Sequence, residues 1–369
     1  MKVAIVHDYL NQYGGAEKVI EVFHELFPEA PIFTSIYDQK KLPGSFKNMR
    51  IFPSFMQKFP FLDKNFKKYL LFYPKAIESF NLSEFDVILS SSSAFAKGSI
   101  KSDKNCHICY CYTPMRFVWD YENYIQKENF GYSTKKILSF ALKRLKKWDL
   151  YTLNRVDYFI AISNYIKDRI KKVYDIDSVV IYPPVNVKEF RCSEKIENYF
   201  LIVSRLNPYK NIDLAVDVFN EMNLNLKIVG TGPYKETLER LAKTKKIEFL
   251  GRLSNYELKE VYSKCRAYIF PGKEDFGISP VEAQASGRPV IAFAAGGALE
   301  TILDGKTGLF FRENSRESLI KAIQSFINIE NKFDSKKIIK NAMKFDKAIF
   351  KDRILNYVNQ KYYEYFNKP

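Results

Sequence analysis

No run in this chain approaches the roughly 18 apolar residues that a membrane-crossing helix needs, which argues against a helical span. Met1-Lys2 leads at once into a strand-like Val3-Ala4-Ile5-Val6, with no apolar stretch of signal-peptide length. The expectation is a cytoplasmic protein. Cysteines are few and odd in number, five in 369 residues, so no disulfide framework is expected. Three of them fall in Asn105-Cys106-His107-Ile108-Cys109-Tyr110-Cys111-Tyr112. That segment alternates like a strand, which splits its side chains between two faces, so reduced thiols are expected there and no metal. Acids are also short: 42 Asp and Glu face 58 Lys and Arg, a net charge of +16. The excess is shared by both halves of the chain. Such a balance suits nucleic acid, an anionic membrane or a phosphorylated substrate.

What is present is an alternation of apolar strands with amphipathic helices, the pattern of a parallel sheet covered on both faces. Strands are expected at Val3–Val6, Ile32–Ser35, Phe85–Leu89 (capped by Ser90–Ser93), Cys106–Tyr112, Val156–Ser163 and Val179–Ile181. Pro183-Pro184 marks a boundary. After it the logic repeats: Phe200–Val203, Leu226–Val229, Ile247–Leu250, Ala267–Phe270 and Val290–Phe293. The expected domains are 1–182, 183–345 and a terminal helix, 346–369, that packs back on the first. Phe350, Ile354, Leu355, Val358 and Tyr362 form the expected stripe of that helix. Each strand ends in a glycine, a charge or a polar loop. In a parallel sheet those loops share one edge, where ligands bind.

Two stretches interleave lysines with aromatics. The first, 47–75, carries Lys47, Arg50, Lys58, Lys64, Lys67, Lys68 and Lys75 among Phe52, Phe55, Phe59, Phe61, Phe66, Tyr69, Phe72 and Tyr73. The second, 135–150, carries six basic residues against Asp149. The composition fits an anionic membrane surface. It also fits a platform for single-stranded nucleic acid, or amphipathic helices with aromatic cores and solvated lysines.

The densest chemistry lies in Glu274-Asp275-Phe276-Gly277-Ile278-Ser279-Pro280-Val281-Glu282. A strand, a glycine loop and a helix starting near Ser279-Pro280 are expected, because proline suits the first helical position. The free N–H groups of a helix start attract phosphate. Glu274 in the loop and Glu282 in the first turn suit sugar hydroxyls. Together these point to a nucleotide sugar. A second glycine loop, Gly14-Gly15, follows the first strand and opens a helix; glycine there lets a ligand approach the backbone.

Taken with Gly14-Gly15-Ala16-Glu17, Ser204-Arg205-Leu206 with Lys210, Gly230-Thr231-Gly232-Pro233, Gly287-x-Pro289-Val290 and Gly296-Gly297, the chain resembles the family 4 glycosyltransferases over nearly its whole length. These are retaining enzymes with two Rossmann-like domains facing across a cleft. His7-Asp8-Tyr9 and Tyr110–Arg116 are similar to a mannosyltransferase-like branch of cell-surface polysaccharide assembly. The resemblance implies that Arg205 and Lys210 hold the donor diphosphate and that Gly14 and Gly15 offer N–H groups to it from the other domain. It implies that Glu274, with the backbone of Phe276, Gly277, Ile278 and Ser279, holds the sugar, and that Glu282 meets the ribose. The loops at Gly232 and at Arg252-Leu253 would border the base. Neither glutamate is expected as a covalent nucleophile. No metal and no cofactor beyond the co-substrate is expected.

Tyr112 stands where that branch usually carries histidine. A phenol is a poor base at neutral pH, so a proton-shuttling role there is in doubt. Tyr112 and Arg116 are read as sugar or acceptor contacts. The partners implied are a nucleotide sugar, with GDP-mannose the first guess, a glycan or lipid-linked acceptor, and an anionic membrane, with no nucleic acid. The alternatives are a sugar-nucleotide epimerase on the same fold and a non-catalytic basic binding protein. The latter leaves the Glu274–Glu282 spacing unexplained.

Overall fold

The computed structural model describes residues 1–120 and 132–367; the side chains of residues 63, 64, 67 and 132–137 lie outside the description. The chain falls into two compact units, Met1–Pro184 with Phe350–Pro369, and Val185–Ile349. Both are open parallel sheets with helices, the architecture of two Rossmann-like domains.

The first sheet consists of β1 (Val3–His7), β2 (Ile32–Thr34), β3 (Ile51–Pro53), β4 (Val87–Ser92), β5 (Cys106–Cys111), β6 (Tyr158–Ala161) and β7 (Ser178–Val180), in the order β3-β2-β1-β4-β5-β6-β7. The whole of β1 is buried. It reads as a continuous apolar run and not an alternation because both faces of a parallel strand are covered. Ser90–Ser92 belong to β4 and are buried, so they are not the cap that their polarity suggested. Each serine's backbone joins the ladder, Ser91 pairing with both His7 and Tyr110.

Of the readings open for the first basic stretch, a single amphipathic helix is not what forms: short 3-10 turns, the edge strand β3 and the short helices Leu62–Asn65 and Tyr73–Glu78 follow one another. Pro53 explains the edge position, since proline cannot donate to a further ladder. Met56, Tyr73 and Ala76 enter one core cluster with Leu142 and Leu145 of the helix Tyr132–Tyr151, so both basic stretches rest on the same core.

The helix Lys347–Phe366 buries Phe350, Ile354 and Val358, a spacing of four that keeps one face inward. Within the first unit, Phe350 packs on Phe23 and Tyr110, and Lys351 pairs with Glu25 at 2.7 Å. Leu355 leaves the expected stripe and is exposed.

The second sheet orders β8 (Phe200–Val203), β9 (Leu226–Val229), β10 (Ile247–Gly251), β11 (Tyr268–Phe270), β12 (Val290–Phe293) and β13 (Gly308–Phe311) as β10-β9-β8-β11-β12-β13. Alternate strand residues divide between two cores. Phe200, Ile202, Ile228 and Ile269 pack with the helices Ile212–Met222 and Arg316–Ile329. Leu201, Val229, Tyr268 and Phe270 pack with Tyr262 and Ala283 on the other face. All pairings are parallel, so every strand's C-terminal loop lies on one edge.

Candidate functional site

In the second unit, the loops after β8, β9, β11 and β12 interlock through glycines. A side chain at Gly232 would collide with the backbone of Leu206. Leu206 N–H donates to Thr231 O at 3.0 Å, and Tyr234 N–H donates to Leu206 O at 3.0 Å. The glycines of Gly230-Thr231-Gly232 therefore serve a backbone-to-backbone fit that steadies the arginine loop, a role their sequence pattern did not distinguish from ligand approach. At Gly297 a side chain would strike the backbone of Phe276, and Gly297 N–H donates to Glu274 O at 2.9 Å. The Gly296-Gly297 segment thus holds the Glu274 loop from behind.

The helix after that loop runs Ile278–Ala285. Pro280 is its third residue, not its first. Glu282 is its fifth, in the second turn, which corrects the expected first-turn placement. No acid occupies the first turn, so the N–H groups there face no carboxylate of their own helix. Ser279 is held by Tyr268, whose buried hydroxyl lies 2.8 Å from Ser279 Oγ and 2.9 Å from Val203 O. Burial raises the Tyr268 phenol's pKa and keeps it neutral. Glu282 is buried, and its carboxylate accepts a 3.1 Å hydrogen bond from Tyr262. Burial and the Glu282 charge push the Tyr262 phenol well above its ordinary range. Neither tyrosine was read from the sequence as functional. Both sit at apolar-patterned positions that look like plain core.

Lys210 Nζ bonds to Glu274 Oε1, joining two residues 64 positions apart to which the resemblance gave diphosphate and sugar. A recess beside them is lined by Ser204, Lys210, Tyr268 and Gly272. Arg205 is exposed on the same loop as Lys210. Arg252 is exposed just past β10, and Leu253 packs half-buried against the core. Phe276 is buried and turned inward onto Phe345, centroids 5.5 Å apart. This edge can hold an anion at two cations and a helix start, and hydroxyls at a carboxylate.

In the first unit, Gly14 caps and Gly15 opens the helix Gly15–Leu26, directly beyond β1. Tyr112 OH donates to Ala16 O at 3.2 Å and lies 2.9 Å from Ser91 Oγ. Ser91 Oγ is 3.0 Å from His7 Nδ1, and His7 Nε2 is 3.9 Å from Glu17 Oε1. Burial pushes the Tyr112 phenol well above its ordinary range, so it acts as a hydrogen-bonding post and not as a base. Arg116 opens the short helix Arg116–Trp119. Asp8 is spent on structure: its carboxylate accepts from the backbone N–H groups of Ser93, Ala94, Phe95 and Ala96 at 2.6–3.0 Å. His107 is buried between Arg155 O (2.7 Å) and Ser90 Oγ (2.8 Å), a structural position. Among the described residues, no group of three His, Cys, Asp or Glu side chains could hold a metal.

Two family models match the chain: Glycosyltransferase Family 4 over residues 13–189 and Glycosyl transferases group 1 over 187–345. The chain is 31% identical over 228 residues to the O-antigen chain mannosyltransferase RfbU of Salmonella typhimurium, covering 58% of this chain and 60% of that one. It is 29% identical over 209 residues to a GDP-mannose-dependent phosphatidylinositol monomannoside mannosyltransferase of Mycolicibacterium smegmatis, covering 48% and 53%. The matches thus span about 60% or less of these relatives' length. Among solved structures, sucrose-phosphate synthase of Thermosynechococcus elongatus superposes with a TM-score of 0.73 at 16% identity, covering 99% of each chain. The Anabaena protein HepE, solved with UDP and glucose, gives 0.70 at 17% identity, covering 97% of this chain and 99% of that one. These two likenesses speak to the fold.

Proposed function

We propose, on the premise that this chain belongs to glycosyltransferase family 4, that it moves a hexose from a nucleotide-diphospho sugar to a glycan or lipid-linked acceptor with retention of configuration. Mannose from GDP-mannose is the first choice, because the names of two relatives carry mannosyl transfer and one carries GDP-mannose. The acceptor belongs to cell-surface polysaccharide assembly. The observation that carries the reading is the meeting of Lys210 with Glu274 on the ligand edge of the second sheet.

In this reading the bond between the anomeric carbon and the diphosphate breaks, and the acceptor oxygen forms the new bond on the same face. The acceptor proton passes to the departing phosphate. Charge developing on that phosphate is stabilised by Arg205, Lys210 and the start of the helix Ile278–Ala285. Glu274 binds sugar hydroxyls, and Glu282, steadied by Tyr262, meets the ribose. Arg252 borders the base. Tyr112 and Arg116 serve the acceptor side. The chemistry asks for no resident metal, since cations and helix ends do that work.

The enzyme works in the cytoplasm, peripheral to the inner face of the plasma membrane. The support is the exposed Phe52, Phe55, Phe61, Phe72 and Phe140 beside lysines. No described helix is long and apolar enough to cross a membrane.

The test is a thermal-shift panel of nucleotide sugars followed by transfer assays. A bound donor stabilises the fold by mass action, by about 2.7 kcal/mol at a hundredfold over its dissociation constant, and so raises the melting temperature. Arg205→Ala is expected to lower kcat/KM by about 10²–10³-fold. Full transfer by both Arg205→Ala and Glu274→Ala would refute the site. Turnover of the donor without acceptor would identify an epimerase instead.

A further inference from the structure

Lys210 and Glu274 are rooted in stiff backbone. The turn Pro208–Lys210 ends at a point where a side chain on Gly272 would crowd Lys210's backbone oxygen at 2.9 Å. Glu274 bridges to Gly296 in a parallel ladder step, and its carbonyl accepts from Gly297. Their side chains meet with 18% and 19% of their surface exposed. A charge that far out of water is costly to leave unpaired.

From this we infer that the Lys210–Glu274 ion pair is an internal stand-in for the donor, which makes the site select ligands carrying both a diphosphate and sugar hydroxyls. The inference rests on the proposed donor roles of these two residues. A bare diphosphate draws Lys210 away and leaves Glu274 unpaired beside a new anion. A nucleotide sugar takes Lys210 with its phosphate and satisfies Glu274 with hydroxyl donors in the same event. Selectivity then arises from the penalty imposed on the incomplete ligand as much as from contacts to the complete one. The same contact favours product release. Once the sugar has left, Glu274 loses its hydroxyl partners, Lys210 returns to it, and the nucleoside diphosphate loses a cation.

The experiment is titration calorimetry with three ligands: inorganic pyrophosphate, the nucleotide sugar that gives the largest thermal shift, and the matching nucleoside diphosphate. The proteins are wild type, Glu274→Gln, Lys210→Met and the double variant, each checked for an unchanged melting profile. Gln keeps the shape of the side chain and removes its charge. Glu274→Gln is expected to bind pyrophosphate about tenfold tighter than wild type, within the usual range of site-to-site coupling. It should also lose most of the preference for nucleotide sugar over nucleoside diphosphate.

The tightening should vanish in the Lys210→Met background, because it acts by freeing Lys210. A tightening of equal size in that background means simple charge repulsion and overturns the inference. So does a Glu274→Gln protein with unchanged ligand preference. If wild type binds none of the three ligands, the glycosyl-transfer reading itself falls, a result distinct from either of those.

Discussion

His107 is one of three histidines, and its surroundings set its charge. Burial lowers its pKa from 6.5 to about 4, against a weaker opposing pull from the Arg155 carbonyl and Asp157. A folded-state pKa below the unfolded one means that the folded protein prefers the neutral ring. The stability this contributes is complete above pH 6.5 and is lost as pH falls through 4. Between pH 7 and 5 wild type should lose about 2 kcal/mol more unfolding free energy than His107→Gln, read from urea midpoints. Asp8 makes a different kind of prediction. Its carboxylate satisfies four successive backbone N–H groups after β4. Asp8→Ala should cost about 3 kcal/mol in the same urea assay, because those donors are left buried and unpaired.

The helix Lys347–Phe366 illustrates how an element is held by few residues. Phe350 lies between Phe23, 6.0 Å away and stacked, and Tyr110, 5.7 Å away and edge-on. Farther along, Lys361 sits over the Tyr158 ring, and Tyr365 OH donates to Asp103 O at 3.2 Å. Phe350→Ala should destabilise the first unit by about 3–5 kcal/mol, the usual cost of an emptied aromatic site. Leu355→Ala should cost little, since that residue faces outward. Limited proteolysis should release the terminal helix from the Phe350 variant before any other segment.

A charge of +16 on 369 residues speaks to association and not to fold. The described part of the two basic stretches leaves Phe61 76% exposed and Phe140 67% exposed while their neighbours enter the core. Lys64, Lys67, Lys135 and Lys136, read as part of the same surface, have side chains outside the described residues. Vesicles with about a third anionic lipid should float with the protein, and neutral vesicles should not. Each lysine near such a surface contributes about 1 kcal/mol at moderate salt, so raising the salt should release it. Phe61→Ser with Phe140→Ser should weaken flotation and leave the melting temperature unchanged. Flotation equal to wild type would end the membrane proposal.

Much of the fold was legible because parallel strands buried on both faces are short apolar runs, as Phe200–Val203 is, and the polar and glycine-containing segments that bound such runs mark them as strands. That Gly, Arg, Lys and Glu recur just past those runs was legible too, and the sheet places them on one edge. Strands β3 and β13 were not read, because edge strands are short and half-covered and carry a weak pattern. The serines of β4 looked like a cap because polarity does not reveal a backbone that pairs on both sides. What the linear order could not hold is pairing at a distance. That Lys210 meets Glu274, that Tyr262 steadies Glu282, and that Gly232 and Gly297 serve neighbouring backbone follow from which strands lie side by side. Local preference sets each strand and helix from a few adjacent residues, whereas these contacts join positions 20 to 64 residues apart and exist only once the sheet order brings their loops to one edge.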